Sequence, residues 1–314
     1  MVSILERSSG SYRAITTVLD GIPSLPSTRN WVFLGDSLTE GVGSQRVSHV
    51  AELVNQFRVE LQNQTSVHHI RLRSVNPDTF DPFVQFNLAG HLDSDSQTDG
   101  TKAFCVWNLA CEGQTIETDF KWLPMIAAIR PELVVIFRGS LESIIRPAMV
   151  FDNSWPAWVP KSWRSYSSMD PRCYFSSTPL RRMKQMTIDG LKQRTRLRLL
   201  KSCTGKPLMD LDTFANNYLA LVKQLQSLQA SVLMLGLLPV GECFPQSSAY
   251  FEMVNQRLSG IAATTNAGFF DWAATLRTNG FRELLYRDTF HPNRAGARKL
   301  ADILRSHLAK EQYA

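Results

Sequence analysis

The chain has 314 residues, enough for one large α/β domain or two small ones, and its 44% hydrophobic and 20% charged content is ordinary for a soluble globular protein. Its five cysteines are widely spaced and include no C-x-x-C pair, so the sequence predicts neither a disulfide framework nor a zinc site. No stretch approaches the roughly 18 continuous apolar residues of a transmembrane helix. The first residues also lack a basic segment followed by an apolar one. We therefore expect a cytoplasmic protein with buried free thiols and no metal or other cofactor.

The first predicted α/β unit follows a polar, irregular stretch. Residues 1–30 are expected to form an N-terminal extension to a single main domain, which would cover residues 31–310. Apolar residues at 31–34 predict a short buried strand, and the turn-rich run Gly-Asp-Ser-Leu-Thr-Glu-Gly at 35–41 follows it directly. Apolar residues then recur at helical spacing over 47–62. Strand, tight loop and helix therefore occur in the order of an α/β unit.

The same alternation continues toward the C-terminus. Further strands are predicted at 67–75, 103–109, 132–137, 231–238 and 268–271, and further helices at 115–129, 211–228, 247–264 and 293–310. The polar stretch 91–101 is expected to be an exposed loop. Continuous apolar strands between amphipathic helices predict a parallel sheet with helices on both faces.

An insertion at about 151–206 interrupts this alternation and carries the positive charge of the chain. Tryptophans stand among prolines near its start, and a basic helix is expected at about 178–201. The net charge is +6, yet twelve basic and two acidic residues lie between Lys161 and Lys206, so the rest of the chain is net negative. The simpler interpretation, without a binding role, is a solvated basic helix packed over the sheet. The functional one is a lid or docking surface for an anionic partner: an acidic polysaccharide, an anionic lipid surface or a phosphopantetheine group. No nucleic-acid-binding motif is present.

The loop after the first strand holds a candidate nucleophile, Ser37. In an open parallel sheet, ligands bind at the carboxyl ends of the strands, where this loop lies. A position between a strand and a helix exposes the serine hydroxyl and directs the first amides of the helix toward a reacting oxygen. The residues alone leave a second interpretation open, in which Ser37 only caps the following helix.

A candidate general base, His291, lies just before the last predicted helix. Imidazole is the usual proton acceptor for a serine, and Asp288, in the same turn, is close enough in the chain to orient it. In the alternative, this is a surface loop in which Asn293 caps the helix and the histidine is incidental. The other histidines show no spacing typical of metal ligands: His49, His68, His69, His91 and His307.

Two more loops follow strands at the same predicted edge of the sheet. Gly113, in the run Asn-Leu-Ala-Cys-Glu-Gly-Gln-Thr at 108–115, is a candidate for bringing a backbone N–H close to a reacting carbonyl oxygen. For this glycine alone, an ordinary β–α turn is the simpler explanation. The run Arg-Gly-Ser-Leu-Glu at 138–142 follows the next strand and indicates little by itself.

In combination, these runs resemble the GDSL, or SGNH, family of esterases, lipases and acyl-ester hydrolases. The run Gly-Asp-Ser-Leu at 35–38 matches its first block, 108–115 resembles the second, and Asp-Thr-Phe-His-Pro-Asn at 288–293 matches the last. Asn255 also lies in a context common in the family. The resemblance does not extend to the insertion at about 151–206.

The resemblance implies a fold and a set of roles. The fold would be a flavodoxin-like three-layer α/β/α sandwich with about five parallel strands. Ser37 would be the nucleophile, His291 the base and Asp288 the carboxylate that orients it. The backbone amides of Ser37 and Gly113 would supply two of three oxyanion-hole donors.

The sequence departs from the family at the third block, Gly-x-Asn-Asp, whose asparagine is the third oxyanion donor. Here residues 139–142 read Gly-Ser-Leu-Glu, and Leu141 cannot donate a hydrogen bond. Loss of one donor typically costs about 3 kcal/mol of transition-state stabilisation. Either Ser140, Asn108 or Arg138 substitutes, or two backbone donors suffice, or the site has drifted toward another reaction or inactivity.

The expected activity is serine-dependent hydrolysis of a carboxylic ester, an O-acetyl or acyl ester of a carbohydrate or lipid, through an acyl-enzyme. Two alternatives use the same fold: an acyltransferase with an alcohol as acceptor, and a catalytically weakened binding protein, which Leu141 would favour. The sequence identifies neither the acyl chain nor the alcohol.

Overall fold

The computed structural model describes residues 28–42, 44, 47–61, 65–71, 102–165, 168–172, 175–277, 281–286 and 288–311. The strands in these ranges are β1 (Thr28–Gly35), β2 (Thr65–Arg71), β3 (Lys102–Asn108), β4 (Leu133–Phe137), β5 (Arg146–Pro147), β6 (Gly205–Lys206), β7 (Ser231–Leu235) and β8 (Gly268–Phe270). The expected N-terminal extension, up to residue 27, and the expected loop at 91–101 lie outside the described residues.

The α-helices in the same ranges are α1 (Ser37–Glu40), α2 (His49–Glu60), α3 (Ile116–Ile129), α4 (Ser140–Ser143), α5 (Met149–Asp152), α6 (Pro179–Ser202), α7 (Leu211–Ser227), α8 (Ser247–Thr265), α9 (Trp272–Arg277) and α10 (Arg294–Lys310). The helices predicted from apolar spacing are confirmed, with ends that differ by one or two residues. None of the helices described is both long enough and apolar enough to span a membrane.

One predicted strand is shorter than its apolar run. The strand expected at 231–238 ends at Leu235. Beyond it, the Asn255 side chain, and not a neighbouring strand, forms hydrogen bonds with the backbone of Leu237. Its Oδ1 accepts the Leu237 N–H at 2.6 Å, and its Nδ2 donates to the Leu237 carbonyl at 3.2 Å. These two hydrogen bonds therefore hold the backbone after β7 outside the sheet.

The main sheet has six parallel strands in the order β2-β3-β1-β4-β7-β8. Without β2, the remaining strands have the order of flavodoxin-like folds, in which β1 lies between the next two strands of the chain, here β3 and β4. β2 extends this sheet beyond β3, with Thr65 opposite Lys102 and Arg71 opposite Asn108. The expected flavodoxin-like sandwich is therefore confirmed, with β2 as an added edge strand.

The helices pack against one another and against the strands of the sheet. α2 packs against α10, and α7 packs between α3 and α8. All five residues of β4 are buried, which explains why its run is apolar without interruption. The same core takes in the apolar stripes of the long helices, such as Phe57 of α2 and Leu304 of α10.

The strand order places the predicted site at the carboxyl edge of the sheet. β1 lies between β3 and β4, where the order of strands reverses. Asn108 at the end of β3 is level with Phe33, and Phe137 at the end of β4 is level with Gly35. The loops after these three strands therefore leave the sheet side by side, at the usual ligand position of such sheets.

The inserted segment begins and ends at the antiparallel pair β5 and β6, where Pro147 lies opposite Gly205. The basic helix expected at about 178–201 is α6, and it ends at Ser202. A small apolar cluster separate from the main core holds the segment together, with Val159, Met169 and Leu199 fully buried. The assignment of 31–310 to a single domain stays a prediction.

Candidate active site

Ser37, His291 and Asp288 form one hydrogen-bonded line. The Oγ of Ser37 lies 2.8 Å from Nε2 of His291, and Nδ1 of the same ring lies 2.6 Å from Oδ2 of Asp288. Ser37 follows β1 and the other two residues precede α10, so the fold joins opposite ends of the chain here. In this arrangement His291 can accept the serine proton at Nε2 while Asp288 keeps the other proton on Nδ1.

The chain turns sharply between β1 and α1 to present Ser37. Asp36, and not Ser37, is the N-cap of α1, and its side chain accepts the N–H of Leu38 at 2.9 Å. A Cβ at Gly35 would collide with the side chain of Thr39, so only glycine fits at this turn. Because Asp36 caps the helix, the Ser37 hydroxyl is left to line the pocket.

Asp288 also organises the loop that carries His291. Its Oδ1 accepts the backbone N–H groups of Phe290 and His291, each at 3.0 Å. Thr289, between Asp288 and Phe290, has a left-handed φ of 56°. The loop after β7 holds it: Gly241 donates its N–H to the Thr289 carbonyl at 2.9 Å, and a Cβ at Gly241 would lie 2.5 Å from Cβ of Thr289. Both carboxylate oxygens of Asp288 are thus used, which fixes the imidazole orientation.

Asn293 caps the last helix as predicted, since its side chain accepts the N–H of Gly296 at 2.9 Å. The cap and the alignment of His291 with Ser37 occur together in the same loop. The histidine is therefore not incidental in this arrangement.

Gly113 and Ser37 line one cavity of about 320 Å³. Gly113 has a φ of +77°, in the left-handed region that glycine adopts without strain. Glu40 secures this turn, because its Oε2 accepts the N–H of Glu112 at 2.6 Å. In the described part of the chain, neither the Ser37 amide nor the Gly113 amide is engaged by another group. Both amides are therefore available to a developing oxyanion.

Leu141, which stands where the sequence resemblance implies an oxyanion asparagine, lines the same cavity. The neighbouring Ser140 does not line the cavity. Its Oγ is buried and has no hydrogen-bond partner among the residues described.

The other two suggested substitutes are engaged away from the cavity. The Asn108 amide donates to the carbonyl of residue 39 at 3.3 Å and accepts the N–H of residue 110 at 3.1 Å. The Arg138 guanidinium donates to Asp119 at 2.8 Å and to the carbonyl of Gln114 at 2.8 Å. In this arrangement none of the three replaces the missing donor.

A group of buried charged residues beside the Ser37 loop was not foreseen from the sequence. Asp36, Asp119, Arg138 and Glu142 are all at most 2% exposed, so one cation faces three acids. Oε1 of Glu142 accepts the N–H of Ile116 at 2.6 Å. Burial raises the pKa of Glu142 to about 7, although the Arg138 charge opposes this. Burial also raises the pKa of Asp36.

Glu142→Gln is expected to make the protein less sensitive to alkaline pH. The folded-state pKa of Glu142 is raised, so its stabilising effect is complete below about pH 4.5 and is lost as the pH rises through about 7. Glutamine can still accept the Ile116 N–H but never ionises. Relative to wild type, the free energy of unfolding of the variant should rise by about 2–3 kcal/mol between pH 5 and pH 8.

Urea unfolding at the two pH values measures this difference. Glu117→Gln, an exposed acid at the start of α3, is the matched control and should show no such gain. An equal pH dependence in Glu142→Gln and wild type would show that Glu142 is not the titrating group.

No three His, Cys, Asp or Glu side chains in the described part of the chain are grouped so as to hold a metal ion. Cys105 and Cys111 are buried, as expected, whereas Cys203 and Cys243 are half-buried, and none of these four forms a disulfide. Cys173 lies outside the described residues.

Solved structures share this fold, although no protein-family model and no curated protein sequence matches the chain. The lipase/acylhydrolase from Enterococcus faecalis superposes with a TM-score of 0.51 at 14% identity, over 90% of this chain and 96% of that one. The esterase EstA from Pseudoalteromonas sp. gives a TM-score of 0.49 at 15% identity, over 91% and 100% of the two chains. A variant of the acetylxylan esterase Axe2 from Geobacillus stearothermophilus gives 0.49 at 15% identity, over 90% and 94%. At such identities the first likeness establishes the fold, and the chemistry has to follow from the site.

Proposed function

We propose that this chain is a serine ester hydrolase of the GDSL/SGNH type, which cleaves a carboxylic ester through an acyl-enzyme. The observation that carries the proposal is the unbroken line of hydrogen bonds from Ser37 through His291 to Asp288, with separations of 2.8 and 2.6 Å. Asp288 is 2% exposed, and burial of a carboxylate is costly unless it is paired. A loop with a purely structural role does not need a buried aspartate and histidine aligned on a distant serine.

The first half of the reaction forms the acyl-enzyme. Nε2 of His291 takes the proton from Ser37, and the serine oxygen bonds to the ester carbonyl carbon. The carbonyl oxygen becomes an oxyanion, which the backbone amides of Ser37 and Gly113 stabilise. As the tetrahedral intermediate collapses, the protonated imidazole gives its proton to the departing alkoxide, which leaves as an alcohol.

The second half repeats these steps with water. His291 takes a proton from a water molecule, whose oxygen attacks the acyl carbon. The bond to the serine oxygen then breaks, the imidazole returns the proton to Ser37, and the carboxylic acid is released. A cavity of about 320 Å³ lies at the small end of ligand pockets. It fits an O-acetyl or short acyl ester of a carbohydrate or lipid.

Covalent labelling by a fluorophosphonate probe tests the proposal without knowledge of the substrate. The wild type is expected to gain the mass of one phosphonyl group, because an activated serine attacks phosphorus. Ser37→Ala should gain none. Ser231→Ala, which removes an exposed serine at the start of β7, is the matched control and should label like the wild type.

Equal labelling of Ser37→Ala and wild type would place the reactive serine elsewhere and reject the proposal. Failure of every variant to label, in protein shown by circular dichroism to be folded, would also reject it. That result would favour a binding protein that retains the fold, as Leu141 would permit.

A further inference from the structure

Part of the cavity wall comes from the inserted segment and the strand that leads into it. This wall consists of Arg146, Ser168, Asp170, Pro171, Arg172 and Lys192. Half of these residues are cations, and they share the cavity with Ser37 and His291. The positive charge of the insertion is therefore present at the active site and not only on the outer face of α6.

Arg146 is matched by an acid within this wall. Its Nε and Nη2 donate to Oδ2 of Asp170 at 3.0 and 2.7 Å. Its Nη1 donates to the carbonyl of Leu141 at 3.1 Å, which ties the wall to the oxyanion side of the cavity. Arg146 and Asp170 together form a well-paired support, and Nε of Arg196 also lies 4.0 Å from Oδ1 of Asp170.

Lys192 and Arg172 have donors left for a ligand. Nζ of Lys192 donates to the carbonyl of Ser168 at 2.5 Å, which leaves two of its three N–H groups. The ammonium also lies 5.9 Å from the ring centre of Trp163, which helps to position it. Nε of Arg172 is buried and has no hydrogen-bond partner among the residues described. An unpaired buried donor of this kind destabilises the protein unless a ligand accepts from it.

Two nearby acids do not neutralise these cations fully. Oδ1 of Asp189 accepts the backbone N–H of Arg172 at 3.1 Å, and its single negative charge faces both cations. Glu112 also lines the cavity but is exposed on the Gly113 loop, where solvent screens its charge. Burial, and then the Arg172 charge, lower the pKa of Lys192, and the Asp189 charge opposes them less strongly. The two cations therefore repel each other, and the single charge of Asp189 offsets this only in part.

We propose that Arg172 and Lys192 form a subsite for an anionic group, a carboxylate or a phosphate, carried by the ester substrate itself. The inference rests on the proposed function, since the subsite would hold the substrate with its ester at Ser37. A guanidinium fork binds two oxygens of such a group, and an ammonium adds a point charge. The cavity of about 320 Å³ accommodates a small anionic ester.

Two pairs of esters, in each of which only one member carries an anionic group, test the subsite. Monomethyl succinate against methyl butyrate gives the carboxylate arm, and 2-acetoxyethyl phosphate against 2-methoxyethyl acetate gives the phosphate arm. Hydrolysis is followed in a pH-stat at low ionic strength. In at least one arm, the wild type should have a kcat/KM about tenfold or more higher for the anionic ester. The arm that shows the preference identifies the anion.

Arg172→Gln and Lys192→Gln should each lower the ratio of the anionic to the neutral kcat/KM by about tenfold. Arg181→Gln and Lys184→Gln, exposed cations on the same helix as Lys192, are the matched controls and should leave the ratio unchanged. No preference for the anion in either arm, or an equal loss of ratio in the controls, would overturn the subsite. Hydrolysis of the neutral esters would still support the proposed function.

If the wild type hydrolyses none of the four esters, calorimetric titration of the wild type with succinate and with inorganic phosphate decides the matter. Binding of either anion that is lost in Arg172→Gln and kept in Arg181→Gln supports the subsite although the proposed function fails. Absence of binding, or binding that both variants retain, rejects the subsite as well.

Discussion

Replacement of His291 by alanine is expected to lower kcat for 4-nitrophenyl acetate by about 10⁴-fold or more, with little change in KM. Nε2 of His291 lies 2.8 Å from the Ser37 hydroxyl, and a serine without a neighbouring base is a weak nucleophile. Release of 4-nitrophenolate measures the rate, and circular dichroism checks that the variant is folded.

His307→Ala is the matched control for this loss. His307 lies on α10 and stacks on Phe270, with 4.5 Å between the ring centres, and it does not line the cavity. This variant should keep the wild-type kcat, and added imidazole should restore part of the activity of His291→Ala alone. A His291→Ala variant that retained most of its kcat would contradict the assigned general base.

Leu141→Asn is expected to raise kcat for the same ester by up to about a hundredfold. An asparagine amide at this position of the cavity wall would supply the third oxyanion donor, which is worth about 3 kcal/mol in comparable sites. The backbone carbonyl of Leu141, which accepts from Arg146, is unaffected by the change. Steady-state kinetics of the variant and the wild type measure the gain.

Leu141→Ala separates the new donor from the added space. Both variants shorten or replace the leucine side chain, but only asparagine can donate a hydrogen bond. An equal gain in both would mean that leucine merely obstructs the substrate. No gain in the asparagine variant would mean that the site is complete with two backbone donors.

Much of the fold and the proposed triad followed from local patterns. Buried strands such as β4 read as continuous apolar runs, and the loops that follow strands of a parallel sheet meet at one edge. Ser37 and His291 were candidates because each lies in a short loop next to a strand or a helix, and the resemblance of residues 35–38 and 288–293 to GDSL/SGNH blocks implied their roles. For Asp288, closeness in the chain to His291 left a surface loop as an alternative, and its role came from the resemblance of residues 288–293 to the last GDSL/SGNH block.

Other features depend on packing between distant parts of the chain, which periodicity does not encode. Asn108 has the chemistry of an oxyanion donor, but its amide is used by the backbone of neighbouring loops. Glu142 follows Leu141, which lines the cavity, in the sequence. It is buried because α3 packs close to it, and the Ile116 N–H of α3 donates to its carboxylate. Likewise, the position of β2 beyond β3 is decided by strand pairing and not by its own apolar run.

The pair β5 and β6 brings the entry and exit of the inserted segment to adjacent points, with Pro147 opposite Gly205. The entropy of closing a loop between fixed ends grows only slowly with its length. Segments of very different size can therefore be exchanged at this junction while β1 and β3, which precede Ser37 and Gly113, stay in register. Replacement of the segment between Pro147 and Gly205 would thus change the cavity wall and leave the line from Ser37 through His291 to Asp288 in place.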